Sequence, residues 1–180
     1  MDFEAVFRML LETLEKHQVR YALIGGWALT AAGHVRATQD IDFLVHREDY
    51  PKLKTALMGF GYDAVHESAD AANFVGKLKP LGQVDLLLAH RPYAVSMLRR
   101  AVRQPIFAGQ FEAPVLLVED LIGLKVQSMV NDPSRYHADL ADIEALLRLN
   151  AKELDWDLIE EYFKILDKLD EFNTLKKLYG

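Results

Sequence analysis

Residues 25–45, GGWALTAAGHVRATQDIDFLV, constrain this chain more than any other stretch. They open with a glycine pair at the end of an apolar run, Tyr21-Ala22-Leu23-Ile24, and close with Asp40 and Asp42 alternating with Ile41, Phe43, Leu44 and Val45. Burying an unpaired carboxylate is costly, so two of them inside an apolar run call for a compensating charge. A bound cation would supply one.

A strand sends successive side chains to opposite faces, which places Asp40 and Asp42 together and Ile41 and Phe43 on the other side. Two residues apart, their Cα atoms would stand about 6.6 Å from each other. Carboxylates at that spacing can converge on one Mg²⁺ or Mn²⁺, or bridge two such ions about 3.5–4 Å apart. These are hard ions that prefer oxygen ligands. The glycine pair precedes Trp27-Ala28-Leu29-Thr30-Ala31-Ala32, a helical pattern ending at Gly33. At a strand-to-helix junction, Gly25 and Gly26 would let a phosphate approach the backbone and the free N–H groups of the helix. The two halves together predict a site for a nucleoside triphosphate with its metal.

This arrangement resembles the nucleotidyltransferase superfamily of DNA polymerase beta. Its signature is an apolar residue, Gly-Gly or Gly-Ser, a spacer, and then Asp-apolar-Asp; here Ile24-Gly25-Gly26 is followed by residues 27–39 and Asp40-Ile41-Asp42. A third carboxylate in an apolar strand completes the pattern, and Val84-Asp85-Leu86-Leu87-Leu88 offers Asp85. With Gly-Gly-Trp, Arg36 and Thr38, the chain is most similar to two bacterial branches: the antitoxin-associated and abortive-infection nucleotidyltransferases, and the aminoglycoside and lincosamide adenylyltransferases.

The resemblance implies an enzyme that transfers a nucleoside monophosphate from an NTP, ATP among the candidates, to an acceptor hydroxyl. Asp40, Asp42 and Asp85 would be the catalytic and metal-binding residues. Gly25, Gly26, Arg36, Thr38 and Lys125 would bind the nucleotide, with Asp139 as an accessory. The acceptor is a protein, an RNA end or a small molecule, and a toxin–antitoxin or abortive-infection role is implied. The competing readings are an antibiotic adenylyltransferase and a non-catalytic, antitoxin-like binding module. Arg36 either reaches a triphosphate or neutralises Asp40 or Asp42. Lys125 and Asp139 either complete the site, or Asp139 pairs with Arg135 along a solvated helix face.

The expected fold is α/β (α+β): a small mixed sheet flanked by helices. Residues 1–117 form a nucleotidyltransferase core, and residues 118–180 a C-terminal helical segment packed on it. Phe3, Val6, Phe7, Leu10, Leu11 and Leu14 predict a helix over residues 2–16. Strands are expected at 21–24, 41–46 and 62–65, with a hairpin of 73–79 and 83–88 across Pro80-Leu81-Gly82. Helices are expected at 27–32, 47–58, 92–103, 119–130 and 134–149, and short strands at 106–110 and 111–117. From Ala151 the chain is charged and helical, either a cap on the core or a docking surface for a partner protein.

Composition narrows the chemistry further. The chain has no cysteine, which excludes disulfides, thiolate zinc sites and a cysteine nucleophile. Its histidines, His34, His46, His66, His90 and His137 among them, show no metal-ligand spacing. A net charge of −6 disfavours a long duplex held on a basic face. No apolar run is long enough to cross a membrane. The start, Met1-Asp2-Phe3-Glu4, lacks the pattern of a signal peptide, so a cytoplasmic location is expected.

Overall fold

A computed structural model describes residues 1–180. The chain divides into two compact units, one of Met1–Ala31 with Arg36–Leu116, the other of Ala32–Val35 with Leu117–Gly180.

The first unit is built on a seven-stranded mixed sheet. Its strands are β1 (Tyr21–Ile24), β2 (Asp40–His46), β3 (Tyr62–Glu67), β4 (Ala71–Gly76), β5 (Gln83–Ala89), β6 (Val102–Ile106) and β7 (Phe111–Val115), in the order β3-β4-β5-β2-β1-β7-β6. β2 runs parallel to β5 and antiparallel to β1, and β1 runs parallel to β7. Four helices belong to this unit: α1 (Phe3–Lys16), α2 (Gly25–Ala31), α3 (Tyr50–Gly59) and α4 (Pro92–Arg100).

α1 forms because its apolar residues recur every three or four positions, and Val6, Phe7, Leu10, Leu11 and Leu14 are all buried. The Asp2 carboxylate accepts the Ala5 N–H at 3.2 Å and caps its first turn. In β2 and β5 the period of two separates the faces: Ile41, Phe43, Val84, Leu86 and Leu88 are buried, while Asp40, Asp42 and Asp85 are half-buried on the other side.

Several expected boundaries move, four of them with a clear local cause. α2 begins at Gly25 itself rather than after the glycine pair. β4 ends at Gly76, because a 3-10 turn at Lys79–Leu81 takes up Pro80 and Gly82 follows at φ +65°. α4 stops at Arg100, and Ala101 turns extended so that Val102 can enter β6. The β6–β7 connection is Phe107–Gln110, with Phe107, Ala108 and Gly109 all at positive φ, where a strand over 106–110 was expected.

The second unit is helical: α5 (Val118–Asn131), α6 (Tyr136–Asn150), α7 (Trp156–Ile165) and α8 (Leu169–Tyr179). α5 packs on α6 and α7, and α7 on α8, with Ile122, Val126, Ile143, Leu146, Ile159, Phe163 and Phe172 buried. The Asp155 carboxylate caps α7, accepting from the N–H groups of Asp157 and Leu158 at 3.1 Å each. No helix is long and apolar enough to cross a membrane.

Candidate active site

The first unit gathers its carboxylates by register. β2 and β5 pair so that Asp42 stands opposite Asp85 and Asp40 opposite Gln83. On the far side of β5, Asn73 of β4 stands opposite Asp85. One cross-strand row therefore reads Asn73, Asp85, Asp42, all on one face of the sheet. Asp40, Asp42 and Asp85 each bring a carboxylate oxygen within 4.8 Å of the others.

Asp40 and Asp85 each have their own support. Thr38 Oγ1 donates to Asp40 Oδ1 at 2.7 Å, and the Trp27 indole N–H donates to the Asp40 carbonyl at 3.2 Å. The Trp27 ring is itself fixed, with the rings of Phe3, Phe7 and Phe107 at 5.1, 5.1 and 5.2 Å. Asp85 Oδ1 accepts from Asn73 Nδ2 at 2.7 Å and from Gln83 Nε2 at 3.0 Å, and the same Gln83 nitrogen reaches Oδ2 at 3.1 Å.

The glycine pair faces these carboxylates. Gly25 lies at φ +61°, and a Cβ on it would fall 2.0 Å from Asp42 Oδ2. A Cβ on Gly26 would fall 2.6 Å from Thr38 Cβ and 2.8 Å from its Oγ1. The missing side chains thus make room for Asp42 and for the residue that holds Asp40. Sequence reasoning saw only the opening toward a phosphate. Arg36 is exposed in the loop between α2 and β2.

Lys125 and Asp139 belong to the second unit, in a separate ion cluster. Lys125 Nζ lies 2.7 Å from Asp139 Oδ1 and 2.6 Å from Asp142 Oδ2. Arg135 Nε reaches Asp139 Oδ2 at 3.1 Å, and His34 Nε2 lies 3.1 Å from Asp142 Oδ1. The Arg135–Asp139 pair exists, but not on a solvated face, because Asp139 is only 1% exposed and Asp142 4%. Burial pushes the Asp139 carboxyl up. Hydrogen bonds from Lys125, Ser128 and Arg135 outweigh it and leave the group below the usual aspartate range.

Asn73 and Gln83 were not singled out from the sequence, and Trp27 entered only as part of the Gly-Gly-Trp motif, not as a support for Asp40. The signal for Asn73 was its place in the hairpin, hidden because an arm running to Lys79 sets a different register. The signal for Gln83 was its spacing of two from Asp85.

Residues 3–167 match a protein family described as "Uncharacterised nucleotidyltransferase". The chain belongs to this nucleotidyltransferase family. The enzyme's fold is similar to that of the antibiotic-resistance factor ANT(2'')-Ia, whose solution structure superposes with a TM-score of 0.64 at 16% identity, over 98% of this chain and 97% of that one. The crystal structure of ANT(2'')-Ia in complex with adenylyl-2''-tobramycin gives 0.64 at 14% identity, over 98% of each chain. The lincomycin-bound lincosamide antibiotic adenylyltransferase LnuA gives 0.53 at 18% identity, over 81% of this chain and 97% of that one. Comparison with curated protein sequences gives no match.

The nucleotidyltransferase's carboxylates suit a hard divalent cation. All three are oxygen donors on one sheet face, and their oxygens lie close enough to share one ion. Carboxylates so placed repel one another without a cation.

Proposed function

We propose that the enzyme transfers a nucleoside monophosphate from an NTP to an acceptor hydroxyl, using Mg²⁺ or Mn²⁺ held by Asp40, Asp42 and Asp85. The observation that carries this reading is the convergence of those three carboxylates on one face of β2 and β5. When bound, the ion neutralises charge on the phosphoryl oxygens and on the departing pyrophosphate. Asp85 orients the acceptor hydroxyl and takes its proton as the new oxygen–phosphorus bond forms at the α-phosphate. The bond from the α-phosphorus to the bridging oxygen breaks, and pyrophosphate leaves with its electron pair. Thr38 keeps Asp40 in place through Oγ1. The backbone at Gly25 and Gly26 takes the β- and γ-phosphates, and Arg36 contacts them from its exposed loop. In this reading residues 1–117 act as the transfer core and 118–180 as its helical extension.

Among acceptors, a small hydroxylated molecule is favoured by the likeness to ANT(2'')-Ia, which spans nearly the whole of both chains. The net charge of −6 suits a cationic acceptor. The test is to incubate the protein with each α-labelled NTP and Mg²⁺, separately with tobramycin, lincomycin, cell protein and RNA, and to identify what gains label. Labelled tobramycin or lincomycin supports the small-molecule reading, and labelled protein or RNA replaces it. No label from any NTP, or equal label with Asp42→Asn, overturns the transfer.

A further inference from the structure

The three aspartates are not supported alike. Asp40 receives one side-chain donor, the Thr38 hydroxyl. Asp85 receives two neutral amides from two strands, Asn73 on β4 and Gln83 on its own strand β5. These positions follow from the sheet: Asn73 is the register partner of Asp85, and Gln83 that of Asp40. On this face the amides therefore occupy lattice positions beside the carboxylates. A fourth or fifth charge there would add repulsion, and an apolar side chain would leave Asp85 free to rotate.

The donors also divide the two oxygens of Asp85. Oδ1 accepts from both amides at 2.7 and 3.0 Å, whereas Oδ2 accepts from Gln83 alone at 3.1 Å. The carboxylate plane is fixed by these hydrogen bonds, and Oδ2 is the less occupied oxygen. Asn73 is half-buried, so the shorter of these bonds is shielded from water.

We infer that Asn73 and Gln83 are positioning residues that lock Asp85 into the ligand set it forms with Asp40 and Asp42. Both amides act through the orientation of Asp85, the group to which they donate. This inference rests on the reading of the three carboxylates as the metal site. Partners that hydrogen-bond a ligating carboxylate are commonly worth about 10–100-fold in metal affinity.

The experiment is a titration of the full-length protein with Mn²⁺ alone, followed by the electron paramagnetic resonance of the free ion, beside melting curves without metal. The variants are Asn73→Leu, Gln83→Leu and their combination, with Asn73→His to restore a donor at similar reach. Gln83 is exposed, so Gln83→Leu is readable even if Asn73→Leu folds poorly. Each Leu variant is expected to weaken Mn²⁺ binding about 10-fold, the double variant more, and Asn73→His to recover most of the loss. Unchanged Mn²⁺ affinity in folded Leu variants overturns the inference and leaves the metal site standing, even if melting temperatures fall. A wild-type protein that binds no Mn²⁺ overturns the metal reading itself, and the inference with it.

Discussion

The Asp42 carboxylate occupies the space that a side chain on Gly25 would fill: a Cβ there would lie 2.0 Å from Oδ2 and 2.5 Å from Cγ. The glycine is needed by the carboxylate that follows it in the motif, before any phosphate is considered. Gly25→Ala should therefore displace Asp42 and place an alanine at φ +61°, a backbone strain of about 1–2 kcal/mol. Mn²⁺ binding should be lost well beyond what that strain explains. Denaturant unfolding and a Mn²⁺ titration on one preparation separate the two effects.

Thr38→Val keeps the shape of the side chain that packs on Gly26 and removes only the hydroxyl donor to Asp40. Metal affinity should fall about 10-fold, the usual worth of such a donor, with the melting temperature little changed. Calorimetric titration with Mn²⁺ measures it. Full affinity in Thr38→Val would show that Asp40 needs no such partner.

Asp42→Asn removes one charge from a cluster of three. The metal-free protein should melt about 2–4 °C higher, equivalent to about 1 kcal/mol of relieved repulsion. Mg²⁺ or Mn²⁺ should raise the melting temperature of the wild type, and that rise should be absent in this variant. Scans with and without metal give both values, and a variant still stabilised by the metal contradicts the assignment.

Lys125→Met leaves Asp139 and Asp142 buried without their shared ammonium, and breaking such a buried pair costs about 3–5 kcal/mol. The pH dependence carries the sign. In the wild type the Asp139 carboxyl is held below its ordinary value, so its contribution is complete above the unfolded-state pKa and is lost as pH falls through the folded one. Without Lys125, burial favours the protonated acid, whose contribution grows on acidification. The stability gap between variant and wild type should narrow from about pH 7 to about pH 5, measured by urea unfolding. A small gap that does not change with pH would mean that Arg135 and His34 suffice.

The shared face of Asp40 and Asp42 was legible because a period of two in an apolar strand admits no other placement. Asp85 was legible as a carboxylate among leucines. What brought it opposite Asp42 was not: β5 lies between β4 and β2 through tertiary pairing that no local pattern encodes. The same limit moved the end of α4. Val102 and Arg103 suit a helix as well as a strand, and pairing with Val115 and Pro114 of β7 decides between them. The buried state of Asp139 was hidden for another reason: a charge reads as solvated until its partner is found, and Lys125 sits on a different helix.

β5 enters the sheet beside β2, from which it is separated in the chain by α3, β3 and β4. A nascent chain can complete its glycine motif and β2 long before β5 exists, so the carboxylate trio is assembled only at a late, long-range pairing step. Once formed, that pairing runs through the middle strands of the sheet, whose backbone amides should exchange with solvent only when the unit opens as a whole. Catalytic competence and global folding of this unit should then be lost in a single event, with no partly unfolded form that retains the trio.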